Sequence, residues 1–92
     1  MKMNSAQIER TLEQFEGEVV PENNPAIPRL KRIFGDHTYF LDKSGLNIVE
    51  PAEPDHKVVR LGVVVNIADW AEEGSPDLAP HDPQKTGLLV LL

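Results

Sequence analysis

The feature that most constrains this chain is an apolar, β-branched stretch at residues 57–70, KVVRLGVVVNIADW. Every second position from 59 to 67 is aliphatic, which is the period of a strand with one buried face. The opposite face mixes Arg60, Gly62 and Asn66 with valine and alanine, and it is too apolar to meet only water. The stretch therefore predicts a central strand that is covered fully on one side and partly on the other.

Two short helices are predicted before this strand. Residues 4–16 and 24–35 each place apolar side chains three or four positions apart, which puts them on one face of a helix. The first helix starts with Asn4 followed by Gln7, the pattern of a capping box. Together they predict a helical hairpin over residues 4–35, which needs a sheet to bury its apolar stripes.

Three further segments complete the predicted sheet. Residues 37–50 have the pattern of a β-hairpin, with a turn at Asp42-Lys43-Ser44-Gly45 and with Phe40 opposite Ile48. Residues 71–85 are polar and interrupted by prolines, which predicts a long loop. Residues 86–92, TGLLVLL, show no alternation and predict a last strand that is buried on both faces or against a second subunit.

The predicted fold is therefore α+β. A single domain spans residues 1–92, with two short N-terminal helices packed on one face of a roughly four-stranded antiparallel sheet. These helices leave the mixed face of the central strand without a cover. A homodimer or a protein partner is predicted there, through Arg60, Gly62 and Asn66 and through the C-terminal strand.

Composition narrows the classes of function. The net charge of −6 repels phosphate backbones and argues against nucleic-acid binding. The chain has no cysteine, which fits the reducing cytoplasm and rules out disulfides and thiolate metal sites. Its longest apolar run, at residues 88–92, is too short for a membrane span, and no signal peptide is apparent at the start.

The residues most able to carry chemistry are the three histidines, since each has an aspartate beside it. Imidazole and carboxylate groups bind divalent metals, and an aspartate can orient a histidine for proton transfer. However, neighbours in a strand point to opposite faces, and the HExxH and HxxxH spacings are absent. No metal site and no cofactor are therefore predicted, although a site gathered at one sheet end from His/Asp pairs stays open as an alternative.

No nucleophile elbow and no glycine-rich phosphate loop occurs in the sequence. The leading hypothesis is a small, acidic, non-enzymatic interaction or assembly domain. The alternatives are a divalent-metal-dependent or acid/base active site, and small-ligand binding beneath the 71–85 loop with the single tryptophan on its rim. The candidate binding residues are Trp70, Arg60, Asn66, Asp36, His37, Asp69, His81 and Asp82.

Overall fold

One antiparallel sheet, with strands in sequence order, organises the part of the chain that the structure describes. This structure is a computed structural model, and it describes residues 1–52, 60–72 and 77–92. In chain order its elements are α1 (Ser5–Gln14), β1 (Glu18–Val19), α2 (Ile27–Phe34), β2 (Phe40–Asp42), β3 (Gly45–Pro51), β4 (Leu61–Trp70) and β5 (Leu78–Leu91). The α+β class is confirmed, with five described strands in place of the four predicted.

The predicted central strand is β4, which pairs with β3 on one side and β5 on the other. Its side chains alternate as predicted: Val63, Val65 and Ile67 enter one buried cluster and Val64 enters another. Positions 57–59 of the predicted strand lie outside the described residues. Both faces of β4 are therefore buried over most of its length.

The two helices lie on opposite faces of the sheet, so the prediction that both pack on one face is wrong. The stripe of α1, Ile8 and Leu12, packs with Phe40, Val49 and Val64. The stripe of α2 packs on the other side, where its members join the cluster around Tyr39, Leu46, Ile48 and Val65. The strand β1 lies between the helices in sequence and pairs with β2, so residues 4–35 do not form a helical hairpin.

Tyr39, which immediately precedes β2, holds the C-terminal end of α2 in place. Its hydroxyl donates to the carbonyl oxygen of Gly35, at 2.5 Å, and also lies 3.2 Å from that of Leu30. Gly35 has a φ of 99° and closes the helix, because glycine adopts this left-handed conformation at little cost. Of the predicted stripe, Ile33 is the exception, since it faces solvent.

The mixed face of β4 is covered by α1, so the prediction that this face lacks a cover is wrong. Gly62 is buried, and a Cβ at this position would lie 2.5 Å from Val49 Cγ1 and 3.3 Å from a Leu92 methyl carbon. Asn66 is buried as well. Of the three residues assigned to this face, only Arg60 is exposed.

The segment predicted as a loop at 71–85 is largely strand, because β5 begins at Leu78. The strand β5 uses 14 residues to pair with the ten of β4. Residues 81–83 lie opposite Ile67 alone, and residues 86–88 lie opposite Val64 alone, so two bulges hold the four extra residues. Proline is tolerated at edge strands and bulges, which is why the prolines of this segment do not prevent a strand.

The hairpin of β2 and β3 is confirmed, but its predicted register is wrong by one residue. Phe40 pairs with Asn47, and Asp42 pairs with Gly45, leaving a two-residue turn. A slip of one residue exchanges the two faces of a strand. Phe40 therefore packs on the α1 side, while Leu46 and Ile48 pack on the α2 side.

Candidate functional site

Four of the predicted site residues, Asn66, Asp69, His81 and Asp82, meet where β4 approaches the first bulge of β5. His81 Nε2 lies 2.5 Å from Asn66 Oδ1 and 3.2 Å from Asp69 Oδ1. His81 Nδ1 lies 2.7 Å from the backbone carbonyl oxygen of Asp82. The bulge brings these groups together, because it turns His81 back toward β4 instead of continuing the ladder.

Both ring nitrogens of His81 therefore face hydrogen-bond acceptors. Only the imidazolium form can donate from both nitrogens. The carbonyl oxygen of Asp82 is the largest cause that raises the pKa of His81 above its ordinary value, and the Asp69 carboxylate raises it further, while partial desolvation opposes them. The arrangement favours the imidazolium form, in which neither ring nitrogen has the free lone pair that a general base or a metal ligand needs.

Asn66 connects this histidine to the β2–β3 turn. Its Nδ2 group donates to Asn47 Oδ1 at 3.1 Å and lies 3.5 Å from Ser44 Oγ. The turn itself is held by Asp42, whose Oδ1 accepts from the backbone N–H of Ser44 and Gly45. The amide Nδ2 of Asn47 is buried and has no hydrogen-bond partner among the described residues.

Trp70 belongs to the same end of the sheet. Its indole Nε1 donates to the carbonyl oxygen of Asp42 at 2.9 Å, and the residue is half-buried. The tryptophan therefore fastens the end of β4 to the β2–β3 turn. Trp70 also pairs with Leu78 at the start of β5.

The remaining predicted residues lie elsewhere. His37 Nδ1 lies 2.9 Å from the Met1 nitrogen and 3.7 Å from Glu50 Oε1, and its Nε2 lies 3.1 Å from the Phe34 carbonyl oxygen. Asp36 forms ion pairs with Lys2 at 3.6 Å and with Lys31 at 3.5 Å. Both groups fasten the N-terminal segment to the sheet.

His37 and His81 do not converge. Glu50, beside His37, pairs with Val63, whereas Asp69, beside His81, pairs with Gly45 at the other end of β4. Six residues of strand separate Val63 from Asp69, or roughly 20 Å at about 3.3 Å per residue. His56 lies outside the described residues.

A groove of about 430 Å³ lies on the α2 side of the sheet. Its floor is formed by Val63 and Val65, and no described residue of α2 lines it. The residues that line the groove are Glu50, Pro51, Ala52, Val63, Val65, Pro83, Lys85 and Leu89. The helix α2 therefore covers only part of this face.

Exposed leucines continue the apolar surface of the groove along β5. Leu89 is 54% exposed and Leu91 is 49% exposed. Leu89 pairs with Val63 and Leu91 with Leu61, and paired residues project from the same face of a sheet. The predicted burial of residues 86–92 on both faces is therefore wrong: of this segment only Val90 is buried, and it faces α1.

Sequence reasoning missed the groove because its residues are dispersed over three strands. Lys85 and Pro83 fell in the predicted loop, and Glu50 fell at the end of the hairpin. The available signal was the run of apolar residues at 88–92 without alternation, which indicated surplus apolar surface but not the face that carries it.

Comparison of the chain with models of protein families, with curated proteins and with solved structures finds no match. Within the described ranges, no three His, Cys, Asp or Glu side chains are grouped closely enough to hold a metal ion. Neither described helix has the length and apolar character needed to cross a membrane.

Proposed function

We propose that this chain is a small, non-enzymatic interaction or assembly domain of the cytoplasm, and that its partner covers the groove. The observation that supports this proposal is the pair of exposed leucines, Leu89 and Leu91, beside a groove that no described residue of α2 lines. Exposed apolar surface next to a concave groove is typical of sites where another molecule binds.

The alternatives have less support from the geometry. An acid/base or metal site built from the His/Asp pairs would need His37 and His81 to approach one another, whereas they have no neighbour in common among the contacts described above. Ligand binding beside Trp70 would use an indole N–H that already donates to Asp42.

A test compares the effect of replacing the two leucines beside the groove with the effect of replacing Ile33, an exposed apolar residue on α2. The double variant L89S/L91S should unfold with nearly the wild-type free energy, within about 0.5 kcal/mol per site, because both side chains are solvent-exposed. It should also lose most of the fluorescence of the apolar dye ANS, measured at submicromolar protein so that self-association does not mask the surface. The control I33S removes an equally exposed apolar side chain from α2 and should keep the ANS signal.

Two results would contradict the proposal. Severe destabilisation of L89S/L91S would mean that the leucines serve internal packing and not a partner. A wild-type chain that binds no ANS at all would mean that the groove is not available to a partner.

A further inference from the structure

We propose that the partner on the groove is a second copy of this chain, packed face to face about a two-fold axis, with Glu50 of each copy beside the partner's Lys85. This inference rests on the proposed function, and it specifies both the occupant and the way in which it docks. It follows from how the sheet edges are protected, from the charges around the groove and from its size.

The edges of the sheet are poorly suited to strand addition. At the end of β5, Gln14 Oε1 accepts from the Leu91 N–H at 2.7 Å and Gln14 Nε2 donates to the Leu91 carbonyl oxygen at 2.9 Å. The Gln14 side chain of α1 thus makes the pair of hydrogen bonds that a neighbouring strand would make. Farther along β5, Pro83 offers no N–H and two bulges interrupt the edge. Such features prevent edge-to-edge pairing.

The other described edge is β1, which has only two residues. Very short edge strands are likewise a protection against pairing. A partner is therefore expected on a face of the sheet and not along an edge. Of the two faces, the one under α1 is closed by Gly62, Val64 and Leu92, which leaves the groove.

The charges around the groove of one copy complement those around the groove of a second copy. Glu50 lies on β3 opposite Val63, and Lys85 lies on β5 opposite Val65, so an acid and a base flank the apolar floor on opposite sides. A two-fold axis lying between two such faces exchanges the sides, which places each carboxylate over an ammonium group of the partner. Lys85 has no ion-pair partner among the described residues, so it is free to take this role.

The size of the groove predicts a weak dimer. The groove is lined by residues of β3, β4 and β5, so it is three strands wide, or roughly 14 Å. A standard interface covers about 800 Å² on each partner, which the groove and the two leucines approach only in part. Dissociation in the micromolar range is therefore expected, with rapid exchange between monomer and dimer.

The test measures self-association of the purified full chain by sedimentation velocity over a concentration series. The wild type should shift from monomer to dimer with concentration, and K85E should raise the dissociation constant at least about tenfold, because it places two acids together at each contact. The matched control K43E makes the same change of net charge in the exposed β2–β3 turn and should dimerise like the wild type.

A mixing experiment tests the pairing itself. The variants E50K and K85E each place like charges together in their own dimers, but a mixture of the two restores opposite charges at both contacts. Equimolar mixing should therefore recover association that neither variant shows alone. Should E50K fail to fold, because Glu50 also lies near the Met1 nitrogen and His37, the mixing experiment is replaced by a second disruption test, in which L89S should weaken the dimer as K85E does.

A monomer at every concentration overturns the second-copy inference, and so does a dimer that K85E and L89S leave unchanged. These outcomes are distinguishable from failure of the proposed function. A monomeric chain whose groove still binds ANS retains an interaction surface that serves a different partner, whereas a chain with no ANS binding and destabilised leucine variants loses both.

Discussion

His81 is bound by acceptors at both ring nitrogens, and its stability contribution therefore depends on pH. Its folded-state pKa is raised, with the carbonyl oxygen of Asp82 as the largest cause and the Asp69 carboxylate adding to it. A raised pKa means that the stabilisation is fully present below the unfolded value near 6.5 and is lost as pH rises through the folded value. The difference in melting temperature between wild type and H81Q should shrink over this window.

Comparison with H81Q is necessary because the Met1 α-amino group also titrates in a nearby pH range. Burial lowers the pKa of the Met1 α-amino group below 8.0, while Glu50 and Asp36 oppose this effect. That group therefore favours the folded state more as pH rises from its folded value toward 8.0. The Met1 α-amino group is present in both the wild type and H81Q, so its effect cancels in the difference between their melting temperatures. A difference that grows with pH would contradict the raised pKa of His81.

The contact between His81 and Asp69 can be tested by comparing two variants, D69N and D82N, that make the same change at different positions. NMR titration of the His81 ring should show a lower pKa in D69N than in D82N, because Asp69 acts through its carboxylate whereas the main effect of Asp82 comes from its backbone carbonyl. Equal pKa values in the two variants would show that the contact with Asp69 does not form in solution.

This cluster also shows what a sequence can reveal at the scale of residues. The pairing of His81 with an adjacent aspartate is visible in the sequence, but the contact runs through the backbone of Asp82. Asp69 and Asn66 are 12 and 15 residues away. They reach the ring only because a bulge shifts the register of β5, and sequence periodicity does not locate a bulge.

At the scale of elements, α1 both covers a sheet face and closes a sheet edge. Replacing Gln14 with alanine removes both of its hydrogen bonds to Leu91. Hydrogen bonds of this kind contribute about 0.5–1.5 kcal/mol each, so Q14A should lower the free energy of unfolding by about 1–3 kcal/mol. It should also increase light scattering on storage, because it opens an edge to strand addition.

The neighbouring residue Glu13 supplies the control for this variant. It is exposed on the same helix and has no hydrogen bond or ion pair among the described residues. E13A should therefore leave stability within about 0.5 kcal/mol of the wild type. If Q14A behaves like E13A in both denaturation and scattering, the side chain of Gln14 does not protect the edge.

The elements differ in how well the sequence predicts them. The start of α1 is confirmed in detail: Asn4 and Gln7 exchange the two hydrogen bonds of a capping box, because this motif acts over four residues. The face that each helix covers depends instead on the path of the chain through β1, a strand of only two residues. Prolines in β5 indicated a loop, since the sequence alone does not distinguish an edge strand with bulges from irregular structure.

At the scale of the whole molecule, the two apolar clusters share their supporting strands. Ile48 and Val49 are neighbours on β3 but belong to different clusters, and Val63 and Val64 are divided in the same way on β4. Loss of either helix would therefore expose a face of strands on which the other helix also depends. The chain is expected to unfold in a single cooperative transition despite having a core on each side of the sheet.

This expectation can be tested from the α2 side, where a buried and an exposed isoleucine lie on one helix. Ile27 is 4% exposed and Ile33 is 55% exposed. Replacement of a buried isoleucine by alanine costs about 2–5 kcal/mol, so I27A should lower the melting temperature strongly. I33A should change the free energy of unfolding by less than about 0.5 kcal/mol.

The decisive measurement is whether two probes still agree in I27A. Far-UV circular dichroism follows the helices, and the fluorescence of Trp70 follows the end of β4 at the β2–β3 turn, where no α2 residue is a hydrogen-bond partner of its indole. If the two cores are coupled through β3 and β4, both signals should move to the same lower midpoint. A helical signal that melts first, with Trp70 unchanged, would mean that α2 detaches independently and that the sheet under α1 is stable without it.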